Sequence, residues 1–227
     1  MSPRMGLAAV VFVLLLVVAP ATASAPRPLA VTLGPGSWIA VDGTSTLHAF
    51  SSRSNRIALT VTRRGDAPDP ADPAALLALA GSSAVDGATL DVPVRPLLSG
   101  ESGLDKNLWK ALKSGEYPTI EYRMTGYDAT PAASADSVRV RVDGALEVAG
   151  VERPVPLELT AARSGDGVVL EGTSTLKMSD FGVKPPRLFL GALRVGDRVI
   201  VRYHLLVIPG RAGGGPTATA GGDAGRP

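Results

Sequence analysis

Strict alternation of apolar and polar residues recurs along the chain and restricts it to sheet-forming folds. Val138, Val140 and Val142 alternate with Arg139 and Arg141. Side chains of a strand point to opposite faces in turn, so this period of two predicts a strand with one buried face. Comparable segments occur at residues 38–50, 57–62, 88–97, 119–127, 137–148, 155–160, 168–178 and 194–208. We therefore predict an all-β fold with about eight antiparallel strands in up-and-down order, which closes most naturally into a barrel.

One short helix is predicted within the strand pattern, in the stretch Leu104–Tyr122. Its apolar residues share one helical face and its lysines take the other. Ser102 is the expected N-cap, Asp105 would complete a capping box, and Gly115 is the expected C-cap. Residues 64–86 contain three prolines near their start, and we expect an exposed insertion over the sheet, with one or two helical turns at most.

The two ends of the chain have the composition of segments outside the fold. Residues 1–23 combine Arg4, an apolar run over Leu7–Ala19 and a small-residue cleavage site, which predicts a signal peptide. The apolar run is shorter than the roughly 20 residues of a membrane span. We expect a flexible lead-in at residues 24–36, one barrel domain at 37–208 and a disordered tail at 209–227, with no stable membrane span after cleavage.

Composition excludes several classes of function. The 227 residues include no cysteine, so disulfides and thiolate metal sites are ruled out. The formal charge of +2 is spread over mixed signs, without the basic stripe of a nucleic-acid-binding protein. Motifs of nucleophilic, phosphate-binding or zinc-dependent enzymes are absent from the sequence, and we expect no catalytic residues, no metal and no cofactor.

Three consecutive stretches resemble the YceI-like family of exported, lipocalin-like barrel proteins. They are LDKNLWKALKSGEYPTIEY, VDGALEVAGVERPVPLELT and MSDFGVKPP, and the resemblance spans roughly Trp38 to Val207. The second stretch matches a family pattern through Gly144, Leu146, Gly150, Val151, Pro154 and Val155. The resemblance implies a barrel that encloses a long isoprenoid or similar lipid, in a periplasmic or secreted protein. The loop at residues 64–86 departs from the family pattern, and the Ser45–His48 region matches it only loosely.

Alternation selects a set of side chains that would line such an interior. The predicted ligand-binding residues are Trp38, His48, Phe50, Tyr122, Met124 and Tyr203. Ordinary packing in a filled barrel explains the same pattern. His204 is expected at the rim or outside, because its face of the last strand is the more polar one.

Three functions remain open at this point. The favoured one is an exported, non-enzymatic barrel that binds an apolar, isoprenoid-type ligand. The second is a filled barrel that acts in the cell envelope as a stress or interaction protein. The third, the least favoured, is an enzyme that uses His48. The oligomeric state is open, with a homodimer as one option.

Overall fold

The strands and helices are defined in a computed structural model that describes residues 27–65, 67–185, 187–188 and 193–210. The strands are β1 (Arg27–Pro28), β2 (Val31–Leu33), β3 (Trp38–Ser45), β4 (Ala49–Ser54), β5 (Ala58–Arg63), β6 (Val85–Pro93), β7 (Thr119–Pro131), β8 (Ser137–Val148), β9 (Val151–Pro154), β10 (Leu157–Ser164), β11 (Gly167–Lys177), β12 (Arg187–Leu188) and β13 (Leu193–Pro209). The helices are α1 (Pro73–Ala80) and α2 (Ser102–Ala111), and a 3-10 turn spans Met178–Phe181.

The predicted all-β, antiparallel fold is confirmed, but the sheet has more strands than the eight expected. Its order in the described chain is β1-β5-β6-β7-β8-β10-β11-β13-β3-β4, and β2, β9 and β12 pair beside this path. All of its pairings are antiparallel. The additional strands are mostly segments of two to four residues. Segments this short cannot display a periodic pattern.

The sheet curls round so that its two ends meet. β4 lies at one end of the order and β5 next to the other, yet only residues 55–57 connect them. A connection of this length spans at most ~14 Å. At the seam, the Arg53 N–H donates to the Leu98 carbonyl at 2.9 Å, and the Leu98 N–H donates to the Arg53 carbonyl at 3.1 Å. Within the described residues no strand ladder joins β4 to β5.

The expected flexible lead-in at residues 24–36 is wrong for its described part. Arg27 and Pro28 pair with β5, and Val31–Leu33 pairs with the end of β13. Leu29, between the two strands, is buried. Pro28 suits its position in β1, at one end of the strand order, because an edge strand leaves one row of N–H groups unpaired. Residues 1–23, predicted as a signal peptide, and residues 211–227 of the predicted tail lie outside the described residues.

One face of helix α1 is buried, in contrast to the predicted exposed insertion. Leu76 and Leu77 pack in one cluster with Val140, Ala161 and Val168 of the sheet interior. The segment PAALLALA is apolar on every side, which is the pattern of a buried helix rather than of an amphipathic one. The Asp72 carboxylate accepts a hydrogen bond from the Ala75 N–H at 2.8 Å and caps the first turn, and Pro73 follows it.

Helix α2 lies where the sequence predicts it, but its caps differ. Glu101 occupies the N-cap position without a side-chain hydrogen bond, and Leu112 occupies the C-cap position. Asp105 is buried and accepts hydrogen bonds at 2.7 Å from both the N–H and the hydroxyl of Ser99. The carboxylate therefore fastens the preceding loop to the helix instead of completing a capping box with Ser102. Neither of the two helices in the described part of the chain combines the length and the apolar character of a membrane span.

Candidate ligand-binding site

Two apolar cavities occupy the interior of the curled sheet. The first, called here the outer cavity, has a volume of about 490 Å³. The second, called the inner cavity, has a volume of about 190 Å³. The outer cavity lies against α2 and the inner cavity against α1, so each helix covers its own region of the interior.

The outer cavity reaches solvent at one end and is apolar along its length. Helix α2 turns Leu108, Ala111 and Leu112 into it, opposite side chains of the sheet. The strand side chains include Ile39, Val41, Leu90, Leu146, Leu176 and Val201. Four lining residues are exposed and mark the mouth: His48, Glu101, Gly103 and Lys177. The geometry suits a ligand with a long apolar part and a polar end at the mouth.

The inner cavity has no exposed residue among those that line it. Its walls include Leu29 from the N-terminal segment, Leu76 from α1 and Met124 from β7. All of its lining side chains are buried or half-buried. Four residues line both cavities and therefore lie at their boundary: Leu90, Tyr122, Leu157 and Tyr203.

Both boundary tyrosines are anchored through their hydroxyl groups. The Tyr122 hydroxyl donates to the Val155 carbonyl at 3.0 Å, and the Tyr203 hydroxyl donates to the Glu158 carbonyl at 2.8 Å. In the pairing of β10 with β11, the first paired residue of β10 is Leu159. The Glu158 carbonyl therefore lies just before the region in which these two strands are paired. The hydroxyls thus satisfy main-chain acceptors in an apolar interior, where an unpaired polar group is costly.

Glycines on neighbouring strands make room for the tyrosine rings. A Cβ atom at Gly144 would lie 2.5 Å from the Tyr122 hydroxyl, and Gly172 lies directly opposite Tyr203 in the β11–β13 ladder. Gly43 lies in the same way opposite Phe50. The repeated sequence GTSTL at residues 43–47 and 172–176 therefore starts in both copies with a glycine that faces an aromatic ring, which accounts for the glycine of the repeat.

Burial makes both tyrosines harder to ionise, because it raises the pKa of each phenol. It is the largest cause that raises the pKa of the Tyr122 phenol, and the charge of Asp143 adds to it. Burial likewise raises the pKa of Tyr203, although a hydrogen bond with Ser174 acts in the opposite direction. The two phenols therefore remain protonated hydrogen-bond donors at alkaline pH values where an exposed tyrosine would ionise.

The structure brings five of the six predicted ligand-binding residues to the interior. His48, Phe50, Tyr122 and Tyr203 line the outer cavity, with His48 at the mouth. Met124 lines the inner cavity together with both tyrosines. Whether these side chains contact a ligand stays a prediction.

Trp38 is the exception, because it lies on the outer face of the sheet. It pairs with His204, whereas its neighbour Ile39 pairs with Tyr203 and faces inward. Directly opposite residues of an antiparallel pair share a face, so Trp38 and Tyr203 cannot both point inward. The prediction for Trp38 is therefore wrong, and the outward position predicted for His204 is confirmed.

Trp38 is part of a polar cluster on that outer face. Its ring stacks on the His204 ring at a centroid distance of 5.9 Å, and the Arg53 guanidinium lies 4.3 Å from the Trp38 ring centroid. The Arg202 guanidinium also lies over the Trp38 ring. It pairs with Asp42, with 3.0 Å between Arg202 Nη2 and Asp42 Oδ1. The hydrogen bond from Arg202 is the largest cause that lowers the pKa of Asp42. His204 thus lies on the outer face of the sheet, whereas His48 lies in the turn between β3 and β4 at the mouth of the outer cavity.

The strand pattern alone could not find the lining residues contributed by the helices. Leu76 was concealed in an alanine-rich segment, although the Asp72–Pro73 step is a helix-start signal. The apolar face of α2 was recognised, but whether it covers a cavity or a filled core depends on packing. Among the described residues, no group of three or more histidine, aspartate or glutamate side chains is placed to hold a metal ion.

Comparison with known proteins agrees with this architecture. The YceI-like domain matches residues 41–207. The fold is similar to that of Burkholderia cenocepacia BcnA, with a TM-score of 0.56, 18% identity, and coverage of 75% of this chain and 95% of BcnA. It is also similar to a polyisoprenoid binding domain from Saccharophagus degradans, with a TM-score of 0.56, 14% identity, and coverage of 80% of this chain and 99% of that domain. No curated protein matches the chain. Because the domain match extends over most of its length, the chain belongs to the YceI-like family.

Proposed function

We propose that the protein is an exported, non-enzymatic carrier that binds an apolar, isoprenoid-type lipid in its interior. The outer cavity is the observation that carries the proposal. Its volume of about 490 Å³ falls within the ~300–1,000 Å³ of small-molecule sites. The polyisoprenoid binding domain from Saccharophagus degradans shares the fold and supports the choice of ligand class.

Burial of the lipid tail would supply most of the affinity. Each methylene group transferred from water to an apolar wall contributes about 0.8 kcal/mol. The polar end of the lipid would remain at the mouth, near His48 and Lys177, where the lining residues are exposed. The signal-peptide pattern of residues 1–23 supports an exported product.

Native mass spectrometry of the full-length protein purified from its own host tests the carrier function. We expect a stoichiometric apolar adduct that is released on unfolding and identified by lipid extraction. A clean apo mass, with no uptake of added polyprenyl lipids, would instead favour the envelope interaction protein.

Two variants of adjacent residues give this experiment a matched control. Val201 lines the outer cavity, whereas Ile200 is exposed on the opposite face of the same strand. Val201→Trp places an indole ring in the cavity and should lower the adduct level, while Ile200→Trp should leave it unchanged. Equal adduct levels in the two folded variants would contradict binding inside the barrel.

A further inference from the structure

We infer that Tyr122 and Tyr203 form a partition that limits how far the tail of a bound lipid enters the barrel and so selects lipids by tail length. The inference rests on the proposed lipid-binding function. Its starting point is the position of both rings, which line the outer and the inner cavity at once.

The two rings are held at both of their ends. Their hydroxyls donate to carbonyls only three residues apart, those of Val155 and Glu158. The rings lie against Gly144 and Gly172, where a Cβ atom would collide with them. A side chain fixed at its tip and seated on a glycine cannot change rotamer without losing its hydrogen bond.

The partition acts through its bulk rather than by offering a polar contact. Each hydroxyl already donates its proton to a main-chain carbonyl. Beyond them, all of the inner cavity's lining residues are buried or half-buried, so a ligand that enters at the exposed mouth meets the tyrosines first. A short tail is accommodated in the outer cavity, whereas a longer one must displace a ring.

The test measures the tail-length profile of binding. The full-length protein is incubated with farnesol, geranylgeraniol and a longer polyprenol in competition, and the occupancy of each is read by native mass spectrometry. The variants Tyr122→Leu and Tyr203→Leu open the boundary. We expect the preferred length to increase by one or more isoprene units in each, and to a smaller degree in Tyr203→Phe, which removes only the anchor.

Tyr117→Leu is the matched control. Tyr117 also lies over a glycine, Gly150, but it lines neither cavity, and its replacement should leave the profile unchanged. Circular dichroism confirms that each variant is folded, and Tyr203→Phe retains the ring if the leucine variants do not fold. A profile identical to wild type in the boundary variants would overturn the partition alone. If the wild-type protein binds none of the lipids, the carrier function is overturned, and the partition with it.

Discussion

Tyr122 places a hydroxyl group in an apolar interior, and this has consequences for stability at high pH. In the folded protein burial raises the pKa of the phenol, whereas an unfolded chain has the ordinary value of about 10. Above about pH 10 the unfolded state releases the proton and the folded state retains it. The free energy of unfolding therefore falls as the pH rises, by up to ~1.4 kcal/mol per pH unit for one such group.

Tyr122→Phe should flatten this alkaline decline. The variant loses the hydrogen bond to Val155, which costs about 1 kcal/mol at neutral pH, but it no longer has a proton to release. Urea unfolding between pH 8 and about 11 measures both effects, over a range set by the ordinary tyrosine pKa. If the free energy of unfolding falls equally steeply above about pH 10 in the variant and in wild type, Tyr122 is not the cause of the alkaline loss of stability.

At the scale of single residues, alternation predicts which side chains share a face but not which face is inside. Tyr203 was placed correctly because its apolar neighbours two positions away, Val201 and Leu205, mark the buried row. Trp38 was misplaced because a large aromatic residue at a strand end looks like a core residue in sequence. In the structure, Arg53 and His204 cover its ring and allow it to lie outside.

At the scale of elements, α1 is the feature that sequence reasoning undervalued. An amphipathic helix is recognised in a sequence by its polar face, and the segment PAALLALA has none. Its burial depends on the space that the sheet leaves at that end of the interior, a property of the assembled fold. By contrast, the apolar and basic faces of α2 are visible in sequence, and that helix was predicted.

Leu76→Ala should destabilise the protein by about 2–5 kcal/mol, because it removes buried methyl groups next to an existing cavity. Chemical denaturation with urea gives the change in the free energy of unfolding. Leu47→Ala is the control, since Leu47 is 73% exposed, and its effect should stay within about 0.5 kcal/mol. Equal losses in the two variants would mean that α1 does not belong to the core.

At the scale of the whole molecule, the sheet has a seam where its two ends meet. The antiparallel order of most strands could be predicted from sequence, because the alternating segments and their connecting turns are local features, and the family was recognised from three stretches of sequence. The seam could not be predicted, because it depends on how strongly the sheet coils. β4 has a ladder partner on one side in the described chain, whereas β11 has β10 and β13 on its two sides.

Hydrogen exchange should reveal this difference. We expect the amides of β4 to exchange faster than those of β11, because a strand with one ladder partner opens without disturbing the rest of the sheet. Mass spectrometry of peptides from the two strands, at matched pH and temperature, provides the comparison. Equal protection of both strands would show that the seam is as stable as the rest of the sheet.

The central position of β13 also affects when the fold can form. It lies between β11 and β3, and Arg202 on β13 pairs with Asp42, which is 160 positions earlier in the chain. Strand β3 therefore cannot pair with β13 until nearly the whole domain has been synthesised. Contacts of such high sequence separation make folding slow. A nascent chain of this protein cannot complete its sheet before β13 emerges from the ribosome, and we therefore expect the domain to fold only once nearly all of it has been synthesised.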